Sequence, residues 1–583
     1  MPVRNALSLV LAGLLMLQSA LCLAQDDAAI VRYPARHHPV PDGGGMVASQ
    51  NAVASAVGAE VLAAGGNAVD AAVAVGFALA VTLPRAGNIG GGGFMLVYIA
   101  DSDETVAIDY REMAPPGATR DMFLDADGNV DPVRSRYSHL ASGVPGTVAG
   151  LHAAHERHGS LPWRDLLQPA IELAHRGIVV SHDLASLLDS RRERLMANDA
   201  SAQYFYRKDG SSYAPGDRLV QRDLASSLRL ISRHGADAFY TGAIARKIVA
   251  EMAANGGLID AEALAAYEPV FRVPLEGEYR GYRIVSMPPS SSGGVHIIQM
   301  LNVLQHFPVA TYGPGSADNV HLLAEVSKLA YADRSEHLGD MAYHNVPIDW
   351  LTSKDYARQL ADGIDLEHAR PSTDIKPGAV PPAEGPDTTH FSIMDGFGNA
   401  VANTYTLNFS YGSGISVPGA GFLLNNEMDD FVAKPGVPDA FGLLGGKANA
   451  VEPGKRPLSS MTPTMVFRDN KPWLVTGSPG GSQIITSVLQ MLVNIMDHGM
   501  NIADATAVPR MHHQWMPDVL KLESGFSPDT AAELVRRGHA IETSDGMGSL
   551  QSVMYHDGLY YGASDPRRPQ AGSIGPRMHS AGN

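Results

Sequence analysis

The stretch PDTTHFSIMDGFGNAVANTYTLN, Pro386 to Asn408, sets an acid and two hydroxyls at a sharp change of composition. Upstream, Pro371 to Pro386 is rich in proline and small residues and has no apolar periodicity, which is a linker signature. Downstream, the pattern reads as strand, turn, strand, with Asp395-Gly396-Phe397-Gly398-Asn399 supplying turn residues. Pairing symmetric about Phe397 sets Thr388 opposite Thr406, provided no bulge shifts the register. Asn408 then shares a face with Thr406, because strand side chains alternate. A threonine hydroxyl is a weak nucleophile and needs a base. No local His/Asp pair and no G-x-S-x-G turn supplies one. Cutting the Asp387–Thr388 bond would: it frees an α-amine with a reference pKa of about 7.7–8.0. That amine can take the hydroxyl proton directly or through one water. Taken alone, a Thr-Thr pair at a strand start is more often a packing feature.

The chain has 583 residues, a length that suggests several domains. With 45% hydrophobic and 18% charged residues it has the composition of a globular protein with a sizeable core. The N-terminus predicts a signal peptide over residues 1–24: Arg4, an apolar run from Ala6 to Leu17, and a small-residue site at Ala24. Export to the periplasm or beyond follows. A lipoprotein reading of Cys22 is weaker, because bulky Leu21 precedes it. Cys22 is the one cysteine, so the mature chain would lack disulfides, cysteine nucleophiles and cysteine metal sites. A net charge of −17 argues against a nucleic-acid partner. Ala68 to Leu83 is apolar, but it is short and contains Asp70, so it predicts a buried helix and not a membrane span.

Along the chain, Ala48 to Pro84 reads as helix broken at Gly65–Asn67. Two strands follow, Met95–Ala100 and Val106–Glu112. Residues 146–270 and 318–363 read mostly as helix. Thr464 to Gly477 predicts a hairpin turning at Asp469-Asn470, after which Gly477–Ser482 opens an apolar helix. Strands layered under helices make an α+β fold. There is no internal repeat.

The opening stretch, with LLNNEMDDF (423–431), RPLSSMTPT (456–464) and TGSPGGSQIITSVLQ (476–490), resembles the bacterial γ-glutamyltranspeptidases. NAVDAAVA, GNIGGGGFML, DYREMAPP, HLASGVPGTVAGL, PPSSSGGVHIIQML, YADRSEHLGD, HHQWMPD and YGASDPR extend the resemblance in order from about Met46 to Arg567. It implies an N-terminal-nucleophile hydrolase, a four-layer αββα sandwich, cut before Thr388. Residues 25–387 would be the large subunit and residues 388–583 the small one, a heterodimer intertwined in one domain. The length-based expectation of several domains then falls away.

The resemblance also implies the chemistry. The substrates are γ-glutamyl compounds such as glutathione, and the acceptors are water, amino acids or dipeptides. Thr388 would be the nucleophile and Thr406 would orient its amine. Gly480 and Gly481 would form the oxyanion hole. Arg111, Ser459 and Ser460 would hold the substrate α-carboxylate. Asp430 would receive the α-amine beside Asn408 and Glu427. No metal or organic cofactor is implied. The paired histidines at His512 and the LDADG run at Leu124 lack full ligand spacing and read as structural. Pro435 to Asn449 matches the family's lid over the pocket. Phe441 stands where bacterial relatives usually have a tyrosine bonded to the asparagine matching Asn408, which predicts a looser lid. Two rivals remain: a glutaryl-cephalosporin acylase of the same fold, and an uncut periplasmic binding protein for amino acids or peptides.

Overall fold

A computed structural model describes residues 38–376, 388–437, 439–440 and 442–577. The leader, Asp387 and Phe441 lie outside the described residues. Two seven-stranded sheets dominate. In the first, Gly45–Ser49, Thr388–Asp395, Ala400–Thr406, Gly92–Ile99 and Glu104–Tyr110 lie side by side, with Gly572–Ile574 and Val270–Arg272 at the edges. The second runs Val40–Asp42, Leu559–Ser564, Gln551–His556, Lys471–Thr476, Thr464–Arg468, Tyr282–Ser286, Leu275–Tyr279.

Period-2 alternation separates the two faces of the first sheet. Phe391, Ile393, Val401 and Tyr405 enter one core, under the helices Ala52–Ala63 and Ala68–Thr82. Met394, Ala400 and Ala402 enter the other core, shared with Met465, Val466, Leu474 and Val475 of the second sheet. Helices Gly293–Leu304 and Gln483–Met496 cover that sheet from outside. The result is helix, sheet, sheet, helix, the N-terminal-nucleophile sandwich. Gly477 in this layer has a steric reason. A Cβ on Gly477 would stand 2.4 Å from the His390 ring.

The helix Ala68–Thr82 is buried along its whole length, as its apolar sequence requires. Asn67 caps it in a capping box with Asp70, a device worth about 1 kcal/mol. Asp70 also accepts from the backbone of Ser160 and Leu161, so the buried acid is satisfied. Among the described residues no helix is long and apolar enough to cross a membrane.

The hairpin has the register read from the sequence: Thr388 pairs with Thr406 and Met394 with Ala400, without a bulge. The second hairpin also turns where expected, with Asp469 and Asn470 at φ of 52° and 59°. One element differs. Ala48 and Ser49 belong to the central strand Gly45–Ser49, and the helix starts only at Ala52. Small residues such as these suit either state, and pairing with Phe391–Asp395 decides it.

Upstream of Thr388, the chain is anchored at Ser372. Its N–H and hydroxyl both donate to Asp518, at 2.8 and 2.7 Å, and its carbonyl accepts from the Trp515 indole at 2.9 Å.

Candidate active site

Thr388 is the first residue of its strand and is 5% exposed. Its hydroxyl lies 3.4 Å from that of Thr406, which also accepts the Asn408 N–H at 2.8 Å. Asn408 leaves the strand in a left-handed conformation, φ 75°, and donates its side-chain amide to Asn426 O at 3.0 Å. The glycine run before the neighbouring strand now has a physical reason. A Cβ on Gly91 would meet Thr406 O at 2.0 Å, and one on Gly93 would meet Thr404 O at 2.4 Å. Only glycine lets these backbones close around the threonine pair.

Thr388, Thr406 and Asn408 line one cavity. Arg111, Glu427, Asp430, Ser459, Ser460 and Gly481 line it too. Nine of the residues singled out from sequence therefore meet at one place, and Gly480 is adjacent in the chain.

Arg111 is buried, its guanidinium paired to Glu427 through Nη1 and to Asp430 through Nη2. Its Nε donates to Pro457 O at 3.2 Å. Burial opposes its charge, yet Glu427, Asp430 and Glu112 outweigh that and hold it more firmly protonated than an ordinary arginine. Burial likewise raises the carboxyls of Glu427 and Asp430, against the pull of Arg111. Glu427 Oε2 and Asp430 Oδ1 have no hydrogen-bond donor among the described residues. Ser459 and Ser460 each accept one bond, from Met461 N at 3.1 Å and from Arg334 at 3.2 Å. Neither hydroxyl proton has an acceptor among the described residues. The cavity thus offers both unused acceptors and unused donors, which matches a zwitterion.

Gly480 and Gly481 form the turn before the helix Gln483–Met496, at φ of 134° and 55°, where only glycine is unstrained. Their carbonyls accept from Gln483 and Ile484, at 3.0 and 3.3 Å, while their N–H groups bond to no acceptor among the described residues. Free amides at a helix N-terminus suit a developing negative charge. Within the lid segment, Asp439 and Leu443 line the cavity on either side of Phe441.

Sequence reasoning missed two members of the site. Arg334 lies in YADRSEH and Glu112 in DYRE; both motifs were visible, but neither residue had a chemical partner in sequence to betray it. Glu112 is fully buried, with Oε2 3.8 Å from Arg111 Nη1 and no donor to either oxygen among the described residues. Burial pushes its carboxyl up to about 7 from an ordinary value of 4.5. The folded chain then keeps a proton that the unfolded chain releases. Stability from this group is full below about pH 4.5 and is lost as the pH rises through about 7. Glu112→Gln, which mimics the neutral form, is expected to melt higher than the parent at pH 8 and near the parent at pH 4. Parallel melting profiles across that range count against it.

A separate histidine pair is accounted for by hydrogen bonding. His321 Nε2 donates to Asp365 O at 2.8 Å, and its Nδ1 lies 2.8 Å from His539 Nε2. Nearby Glu325 is paired with Lys328 at 2.7 Å.

A family model described as Gamma-glutamyltranspeptidase matches residues 54–575. The chain is 55% identical over 531 residues to the glutathione hydrolase proenzyme of Escherichia coli K12, covering 91% of each. Among solved structures, a cephalosporin acylase from Bacillus halodurans matches with a TM-score of 0.83 and 27% identity, over 95% of this chain and 99% of that one. A Helicobacter pylori gamma-glutamyltranspeptidase chain matches at 48% identity and a TM-score of 0.55, over 56% of this chain and 93% of its own length.

Proposed function

The chain belongs to the gamma-glutamyltranspeptidase family, and on that premise we propose that it is a self-processing γ-glutamyltransferase and glutathione hydrolase. The precursor cuts its own Asp387–Thr388 bond, and residues 25–387 and 388–583 remain together as one enzyme. The new Thr388 amine takes the proton from the Thr388 hydroxyl, helped by the orienting Thr406 hydroxyl. The Thr388 Oγ then attacks the γ-carbonyl carbon of the donor. The Gly480 and Gly481 N–H groups hold the oxyanion. The threonine amine returns the proton to the leaving nitrogen, the C–N bond breaks, and a γ-glutamyl ester remains. Water releases glutamate from that ester, or an amino acid or dipeptide takes the acyl group as a new amide. The predicted leader fits a periplasmic or secreted location.

The observation that carries this reading is the bipolar cavity beside Thr388. Among the described residues Asp430 Oδ1 and Glu427 Oε2 lack donors, as an ammonium-binding end should, and the Ser459 and Ser460 hydroxyls accept bonds but have no acceptor of their own, as a carboxylate-binding end should. A glutaryl side chain has no α-amine, so the acylase alternative leaves both carboxylate oxygens without a purpose. An uncut binding protein leaves the Gly480–Gly481 turn without one.

The purified protein is expected to run as two fragments on a denaturing gel, the smaller beginning Thr-Thr-His, and to release glutamate from glutathione. A γ-glutamyl anilide is expected to outpace the glutaryl anilide by on the order of 10²-fold in kcat/KM, the value of a charge-assisted contact. One band, or a preference for glutaryl, would refute the proposal. Phe441→Tyr is expected to raise the ratio of transfer to hydrolysis when dipeptide acceptor is added.

A further inference from the structure

Arg334 is a buried cation with no ion-pair partner among the described residues. It is 5% exposed, on the helix Ala317–His337, and it lines the cavity. Among the described residues no acidic oxygen lies within ion-pairing distance of it, unlike Arg111, which meets Glu427 and Asp430. Burial lowers its pKa, and Asp439 and Asp430 act against that only from a distance. An uncompensated guanidinium in the interior is costly unless something anionic comes to it.

Its bonds show where its influence goes. Nε donates to Ser292 Oγ at 3.0 Å, and Nη2 donates to Ser460 Oγ at 3.2 Å. Ser292 in turn donates its hydroxyl to Ser459 O at 2.8 Å, and its N–H donates to the same carbonyl at 2.8 Å. One guanidinium therefore fixes both members of the serine pair, Ser459 through its backbone and Ser460 through its hydroxyl. Because Ser460 Oγ accepts from a cation, its own proton must point elsewhere, and no acceptor among the described residues takes it. That leaves a polarised O–H able to donate into the cavity that Ser460 lines.

We propose that Arg334 is a positioning residue for the anionic end of the substrate: it orients the Ser460 hydroxyl as a donor and adds a positive charge to that of Arg111, which is already shared between two carboxylates. The proposal rests on the γ-glutamyl reading of the site, and it assigns to Arg334 recognition of the donor's α-carboxylate. The chemistry at Thr388 does not depend on it.

Arg334→Met keeps the length of the side chain and removes the charge. With L-γ-glutamyl-p-nitroanilide, KM is expected to rise about 10- to 100-fold while kcat stays within about threefold, the signature of lost ground-state binding. With 4-aminobutyryl-p-nitroanilide, which lacks the α-carboxylate, kcat/KM is expected not to change. Arg334→Lys is expected to recover part of the KM. In a Ser460→Ala background the Met substitution is expected to add much less than it does alone, because the two act through one bond. Self-cleavage into two fragments reports that a variant has folded; should Arg334→Met stay one chain, Arg334→Lys and the Ser460→Ala background carry the test. A loss in kcat with KM unchanged, or an equal loss with both donors, overturns the assignment. Failure of the parent protein to turn over either anilide would instead refute the γ-glutamyl reading.

Discussion

Thr388→Ala is expected to leave the chain in one piece and to abolish release of glutamate from glutathione, a loss of roughly 10⁵–10⁶-fold or more. The same hydroxyl is asked to do two jobs. In the proposed mechanism its oxygen attacks the carbonyl of Asp387 in the precursor. After the cut it would attack the γ-carbonyl, with the amine created by the first event as its base. Alanine removes both at once. The fold should survive, because the lost contact to Thr406 is a long one, at 3.4 Å, and the strand keeps its pairing to Ala400–Thr406. Thr388→Ser retains the oxygen and is expected to cleave slowly and keep some activity. A denaturing gel with a glutamate assay checks this. Two fragments from Thr388→Ala would end the proposed mechanism.

Arg111→Met is expected to cost about 3–5 kcal/mol of stability and to remove detectable turnover. Arg111 neutralises Glu427 and Asp430 directly and Glu112 at 3.8 Å, and all three acids are buried. Without it, three carboxyls crowd a site with little water. They respond by binding protons, because burial already raises each of them. The damage should therefore be milder at pH 5 than at pH 8, as read by thermal unfolding. Lysine is not expected to rescue, since one ammonium cannot fork between Glu427 and Asp430. Asp430→Asn separates binding from folding: Arg111 keeps Glu427, and the main effect should be a KM for γ-glutamyl donors raised by on the order of 10²-fold. An Arg111→Met protein as stable as the parent at pH 8 would show that the acids are not held as described.

The hairpin at residues 388–406 was legible because its information is local. The turn residues, the alternation and the absence of a bulge fix a register that can be counted, and the Thr388–Thr406 pair follows. The site residues were legible only through the resemblance, since Arg111 and Asp430 are far apart in sequence and meet through tertiary packing. Ala48 and Ser49 were misread because small residues carry no periodicity, and sheet pairing decides them. Arg334 and Glu112 were missed because a charged residue in a helix or at a strand end reads as solvated. Their burial exists only once two distant segments cover them.

The strand Gly45–Ser49 lies between Thr388–Asp395 and Gly572–Ile574, both from beyond the Asp387–Thr388 bond. Gly92–Ile99 pairs likewise with Ala400–Thr406, so pulling the halves apart would strip three ladders from this sheet and bare edges that invite aggregation. Making them as one translation product fixes their stoichiometry at one to one and delivers each to its mate already in register.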